Sequence, residues 1–267
     1  MSPTKLENLC TKTCELVLQV GQFLREELGK VSDEAIEVKG LNSLVSYVDQ
    51  EAERKLVAGL SQFLPGSSFL TEEETVQASS GTYQWIIDPL DGTTNFLHQL
   101  PVFGISVALL EEGQLILGVV YEPNRDECFY AWKEGGAFLN KRKIQVRSNP
   151  LLSESLLATG FPYYDYSRME QYLNTLRILM KSTRGLRRYG AAAIDLVYVA
   201  CGRFDAFFEY SLQPWDIAGG AIIVQEAGGI VTDFKNGDTF ISGAEIIAAS
   251  PKIHPQLLAI IKEEFPT

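Results

Sequence analysis

Two aspartates, Asp88 and Asp91, close the apolar run Trp85-Ile86-Ile87 and are separated only by Pro89 and Leu90. Carboxylates held at the end of a rigid strand can converge on hard cations, whose preferred ligands are oxygen atoms. Pro89 restricts the backbone beside them and so helps to aim the Leu90 carbonyl as a neutral oxygen ligand. Gly92, Thr93 and Thr94 follow. A small residue and then hydroxyl residues at a helix start present backbone N–H groups to an anion such as phosphate. Asp-Pro and Asp-Gly are also ordinary turn dipeptides, and Asp91 can cap a following helix. On this segment alone, a turn and a site both stay open.

Asp216 falls near the first turn of a helix predicted over 215–226, where a carboxylate is favourable for capping alone. Trp215 beside it and the small residues Ala218, Gly219 and Gly220 permit close approach of that helix to a neighbour. The acidic run 72–74 reads by itself as a solvated loop. A formal charge of −11 argues against a nucleic-acid partner. It also sets a problem for any site handling anions, because an acidic site repels them unless bound cations reverse the local field. Cys10, Cys14, Cys128 and Cys201 form no CxxC pair and do not cluster with His98 or His254, the only histidines, so the spacing does not point to zinc. Cys10 and Cys14, one helical turn apart, read as a buried thiol face.

The segment Asp88-Pro-Leu-Asp-Gly-Thr-Thr-Asn95 resembles the first signature of the inositol monophosphatase family, and Trp215-Asp-Ile-Ala-Gly-Gly220 resembles its second. Lys39, Asp49, Thr71-Glu72-Glu73 and Gly190-Ala191-Ala192 extend the likeness over nearly the whole chain. The resemblance implies a layered αβαβα sandwich of the inositol monophosphatase and fructose-1,6-bisphosphatase type, commonly a homodimer. It also implies two or three Mg²⁺ ions and Li⁺ sensitivity. Carried over position by position, it has Glu72, Asp88 and the Leu90 carbonyl hold one ion and Asp88, Asp91 and Asp216 the next. Glu73 would lie close by, and Asp49 with Thr93 would orient the attacking water.

The same resemblance places phosphate against the N–H groups of Gly92 and Thr93, and the alcohol against Gly190, Ala191, Ala192, Glu209 and Asp216. The expected reaction is in-line attack on a small phosphate monoester by water activated at the first ion with Thr93 and Glu72. The foremost substrate is myo-inositol monophosphate. Fructose 1,6-bisphosphate, 3′-phosphoadenosine, histidinol phosphate and other sugar phosphates are the alternatives, and a regulatory role with transcription or RNA machinery is the non-enzymatic one. Ser43 stands where the family often carries an acidic residue, which bears on a third ion. Gln213 stands where animal members carry histidine, which leaves the leaving group open.

Apolar residues at spacings of three and four from Leu6 to Leu24 predict a helix ending near Gly29, and a second is predicted over 50–63, stopped by Pro65 and Gly66. Strands are predicted over 83–87, 103–110, 114–121 and 127–132, with a hairpin turn at Glu111, Glu112 and Gly113, giving helices on an antiparallel sheet. The basic stretch 141–147 reads as solvated, and Pro150 suggests a boundary between halves 1–147 and 148–267, tightly packed as one functional unit. The second half alternates strands (155–159, 204–209, 230–233, 246–249) with helices (169–180, 191–200, 215–226, 255–263), which favours an α/β layer. No apolar run approaches the roughly 18 to 20 residues of a membrane span, and the start lacks the features of a secretory signal. The expectation is a cytoplasmic protein.

Overall fold

The computed structural model describes residues 1–32, 36–40, 43–77, 81–162 and 165–265. Helix α1 (Pro3–Glu27) buries Leu6, Leu9, Cys10, Val17, Val20 and Leu24, the stripe expected of a helix packed by one face. Helix α2 (Tyr47–Phe63) begins at Tyr47 rather than at residue 50. Ser46 and Asp49 form a capping box there: the Val48 N–H donates to Ser46 Oγ at 3.2 Å, and the Ser46 N–H donates to Asp49 Oδ2 at 2.9 Å. Asp49 is thereby fixed in the first turn of α2. Between these helices, β1 (Ile36–Gly40) and β2 (Ser43–Ser46) form an antiparallel ribbon.

Strands β3 (Ser68–Thr71), β4 (Tyr83–Asp91), β5 (Gly104–Glu111), β6 (Gln114–Glu122), β7 (Glu127–Trp132), β8 (Gly136–Leu139) and β9 (Arg142–Ile144) make one sheet in sequential order. The short helix α3 (Thr93–Leu97) interrupts the path from β4 to β5. The β5–β6 hairpin turns through Glu112 and Gly113 at φ 51° and 79°, both left-handed as a type I′ turn requires. One expectation is corrected: the sheet is not wholly antiparallel, because β3 runs parallel to β4. The basic stretch is solvated as expected and also contributes edge strand β9; exposed Arg142 and Lys143 on it are the kind of charge that discourages further strand pairing.

The second half contains β10 (Leu156–Thr159), α4 (Met169–Ser182), β11 (Gly185–Arg187), α5 (Ala192–Ala200), β12 (Ala206–Tyr210), α6 (Pro214–Glu226), β13 (Ile230–Thr232), α7 (Phe240–Gly243), β14 (Glu245–Ala249) and α8 (His254–Glu264). Its sheet has the order β11-β10-β12-β14-β13, parallel around β10 and antiparallel from β12 onward. Helices α1 and α2 cover one face of the first sheet. Helices α5 and α6 lie between the two sheets and touch both, while α4 and α8 cover the far face of the second. The layers are thus α, β, α, β, α, as the family likeness implies.

Helices α5 and α6 are apolar nearly all round because both of their faces are covered. Small residues set how closely α6 approaches the first sheet. A Cβ on Gly118 of β6 would stand 2.5 Å from the Gly219 carbonyl oxygen, and one on Gly219 would stand 2.5 Å from Ser106 Oγ. Among the described residues no helix is long and apolar enough to cross a membrane.

Candidate active site

Strand β4 does not stop at Ile87 but continues through Pro89 to Asp91, and its pairing with β5 shifts register between Asp88 and Asp91. In a regular strand two residues three apart face opposite sides. The irregularity breaks that alternation, as bulges do beside active sites, and both carboxylates line one cleft of about 120 Å³. Glu72, one residue past β3, reaches the same cleft, its N–H donating to the Ile87 carbonyl at 3.3 Å. Asp216 enters from the first turn of α6, where the Gln213 N–H donates to its Oδ2 at 2.7 Å. It therefore caps its own helix and faces the cleft at once. Leu90, Gly92, Thr93, Gly190, Ala191, Ala192 and Glu209 also line this cleft.

Asp91 does not cap the helix that follows it. Gly92, left-handed at φ 88°, occupies that position, and the Asp91 carboxylate instead accepts from the N–H groups of Ala192 at 3.2 Å and Ala193 at 2.8 Å. It caps α5, a helix about a hundred residues away in sequence. Asn95 strengthens the same junction by donating from Nδ2 to the carbonyls of Val102 at 2.7 Å and Tyr189 at 2.8 Å. A Cβ on Gly92 would sit 3.1 Å from the Val102 carbonyl and 3.3 Å from Ala191 Cβ. Glycine is needed there for space as well as for φ.

Asp49 lies behind the cleft and touches it through Thr93, whose hydroxyl stands 3.0 Å from both Asp49 Oδ1 and the Leu90 carbonyl. Glu72 lines the cleft, whereas Glu73 and Glu74 are not among its lining residues. The Ser43 side chain lies outside the described residues, so the question it raises about a third ion is not addressed by the geometry.

Burial is the first cause that drives the Asp49, Asp88, Asp91 and Asp216 carboxyls upward. Asp88 is pushed well above the ordinary range, by burial and then by the charges of Glu72, Asp91 and Asp216. Asp91 and Asp216 are pushed up to about 7, against the restraint of the main-chain N–H groups they accept from. Asp49 is raised by burial, while Ser46 and Thr93 pull it back. Such mutual repulsion among buried carboxylates calls for positive charge. All-oxygen donors of this kind suit a hard divalent cation. Among the described residues no three His, Cys, Asp or Glu side chains are already closed to the spacing of a bound ion. The donor chemistry fits the ion.

Sequence reasoning missed three residues here. Glu53 on α2 is fully buried and accepts from the Glu73 N–H at 2.7 Å and from the Thr75 N–H and hydroxyl at 2.8 and 2.6 Å. It ties down the loop that carries Glu72. Its signal was a carboxylate in the apolar stripe of Ala52, Leu56 and Leu60. Asp195 and Arg188 line the cleft as well; Asp195 was legible as the one charge in the apolar run 191–200.

The layered fold and a carboxylate-lined cleft at the end of β4 define a class, and comparison agrees with it. The family model described as the inositol monophosphatase family matches residues 5–264, and the chain belongs to that family. Individual relatives carry two kinds of name. The "Putative Nus factor SuhB" of Neisseria meningitidis is 45% identical over 244 residues, covering 91% of this chain and 94% of that protein. The "Inositol-1-monophosphatase" of Mesorhizobium japonicum is 38% identical over 250 residues, covering 93% and 94%. The crystal structure of extragenic suppressor protein suhB from Bartonella henselae superimposes with a TM-score of 0.90 at 38% identity, covering 96% of this chain and 98% of that one.

Proposed function

We propose that the protein is a Mg²⁺-dependent phosphatase acting on a small phosphate monoester, myo-inositol monophosphate foremost. The observation that carries this reading is the gathering of Glu72, Asp88, Asp91 and Asp216 in one cleft beside Gly92 and Thr93. Glu72, Asp88 and the Leu90 carbonyl would hold one ion, and Asp88, Asp91 and Asp216 another. When bound, the ions supply positive charge that activates water, neutralises phosphate oxygens and stabilises the departing alkoxide. Asp49 accepts the Thr93 hydroxyl proton and so turns the Thr93 oxygen's lone pairs toward the water that attacks in line. The N–H groups of Gly92 and Thr93 hold the phosphate, and Glu209 with the segment 190–192 orients the alcohol. Dimer formation and Li⁺ inhibition belong to the same proposal on family likeness.

Phosphate release from a panel of esters, with and without Mg²⁺, tests the reading; myo-inositol 1-phosphate is expected to outrun fructose 1,6-bisphosphate. Asp88→Asn is expected to reduce turnover on the order of 10³-fold, since several kcal/mol of charge stabilisation is lost. Its melting temperature should stay level or rise, because one of the repelling charges is gone. Turnover retained in that variant refutes the assignment.

A second reading, a regulatory partner of transcription or RNA machinery, is supported by the Nus factor names of the Neisseria and Pseudomonas aeruginosa relatives. It would revise the expectation of no nucleic-acid partner and can coexist with an intact carboxylate set.

A further inference from the structure

We propose that Asp195 is a substrate-binding residue, a second hydroxyl acceptor beside Glu209 that selects an alcohol carrying adjacent hydroxyl groups; this rests on the phosphatase reading above. Asp195 stands in the first turn of α5, is 1% exposed and lines the cleft, and its Oδ1 has no hydrogen-bond partner among the described residues. A buried carboxylate oxygen left without a donor is costly, so its retention calls for a purpose.

Helix capping does not supply one. The first N–H groups of α5, those of Ala192 and Ala193, are already taken by Asp91. Balancing Arg188 is not a sufficient reason either. Burial raises both the Asp195 and the Glu209 carboxyls well above the ordinary range, and the Arg188 charge only partly offsets this at each, so one cation faces two buried acids. Asp91 adds a third negative charge on the same side.

Glu209 projects from β12 and is packed so tightly over Gly160 that a Cβ on that glycine would fall 2.1 Å from its carboxylate oxygens. The glycine leaves Glu209 room, and Ser211 completes this side of the cleft. Two acceptor carboxylates and one donor guanidinium make a wall that a hydroxyl-rich, uncharged alcohol satisfies by donating to both acids. An alcohol without further hydroxyls would strip water from both carboxylates and return no donor, the situation in which polar sites discriminate most strongly.

The test compares kcat/KM for myo-inositol 1-phosphate and for p-nitrophenyl phosphate, with Mg²⁺, in the wild type, Asp195→Asn and Asp195→Leu, folding being checked by circular dichroism and melting. The ratio of the two kcat/KM values is expected to fall at least about tenfold in Asp195→Leu and less in Asp195→Asn, which keeps one acceptor oxygen. An unchanged ratio overturns the inference and leaves the phosphatase reading standing. A parallel loss on both esters also overturns it, because Asp195 would then act through Asp91. A wild type that releases phosphate from neither ester overturns the inference and the reading together.

Discussion

Asp91 and Asp216 are each asked to accept main-chain N–H groups, to sit out of water and to face other acids. Burial wins, and both rise from an ordinary 3.8 to about 7 in the ion-free protein. A carboxyl whose folded value lies above its unfolded one adds stability in full below the unfolded value, and that contribution is lost as pH rises through the folded value. These two residues therefore stabilise the ion-free protein at about pH 4 and cease to do so above about pH 7. A divalent cation needs both deprotonated, so its stabilising effect should grow over the same interval. Calorimetric melts with chelator and with Mg²⁺ are expected to differ by more at about pH 8 than at about pH 5.5. An equal Mg²⁺-induced shift at the two pH values would contradict the assignment of these carboxylates to an ion site.

The loop carrying Glu72 has its own support. Glu53 sits on a helix whose other inward positions are apolar, and its two oxygens accept three donors from Glu73 and Thr75. Glu53→Gln replaces one acceptor by an N–H₂ group that faces donors. Urea unfolding should show a loss of roughly 1–3 kcal/mol, accompanied by a higher Mg²⁺ requirement for phosphate release. A variant of wild-type stability with an unchanged Mg²⁺ requirement would mean that the loop is held by other contacts. At this scale sequence periodicity served well where an element is long and packs by one face, as α1 does. It served poorly for β3, β8 and β9, strands of three or four residues whose pairing partners rather than their own pattern make them strands.

The chain can be divided at 1–147 and 148–267, and the two sheets fall on either side of that division. The packing does not respect it. Helix α6, from the second half, lies directly on β4, β5, β6 and β7 of the first, with Gly219 set against the β5–β6 surface. We propose a single folding unit. A fragment of residues 1–147 would expose the sheet face that α5 and α6 cover, including buried Val120, Phe129 and Ala131. It is expected to lack a cooperative thermal transition and to recover one only when mixed with 148–267. Independent cooperative melting of the first fragment would restore the two-domain description.

The order of the residues alone carried the Asp-Pro-Leu-Asp-Gly-Thr-Thr motif, the second motif at Trp215, the alternation of the later half and, through family likeness, the five layers. These are local or pattern-borne, and they survive being read one window at a time. Only the tertiary structure decided that Asp91 caps α5 rather than α3, and that Glu53 and Asp195 stand beside the others. Each of these depends on which distant main-chain and side-chain groups meet across a register shift and a tight glycine contact, and hydrogen bonds between distant segments leave no period in the sequence.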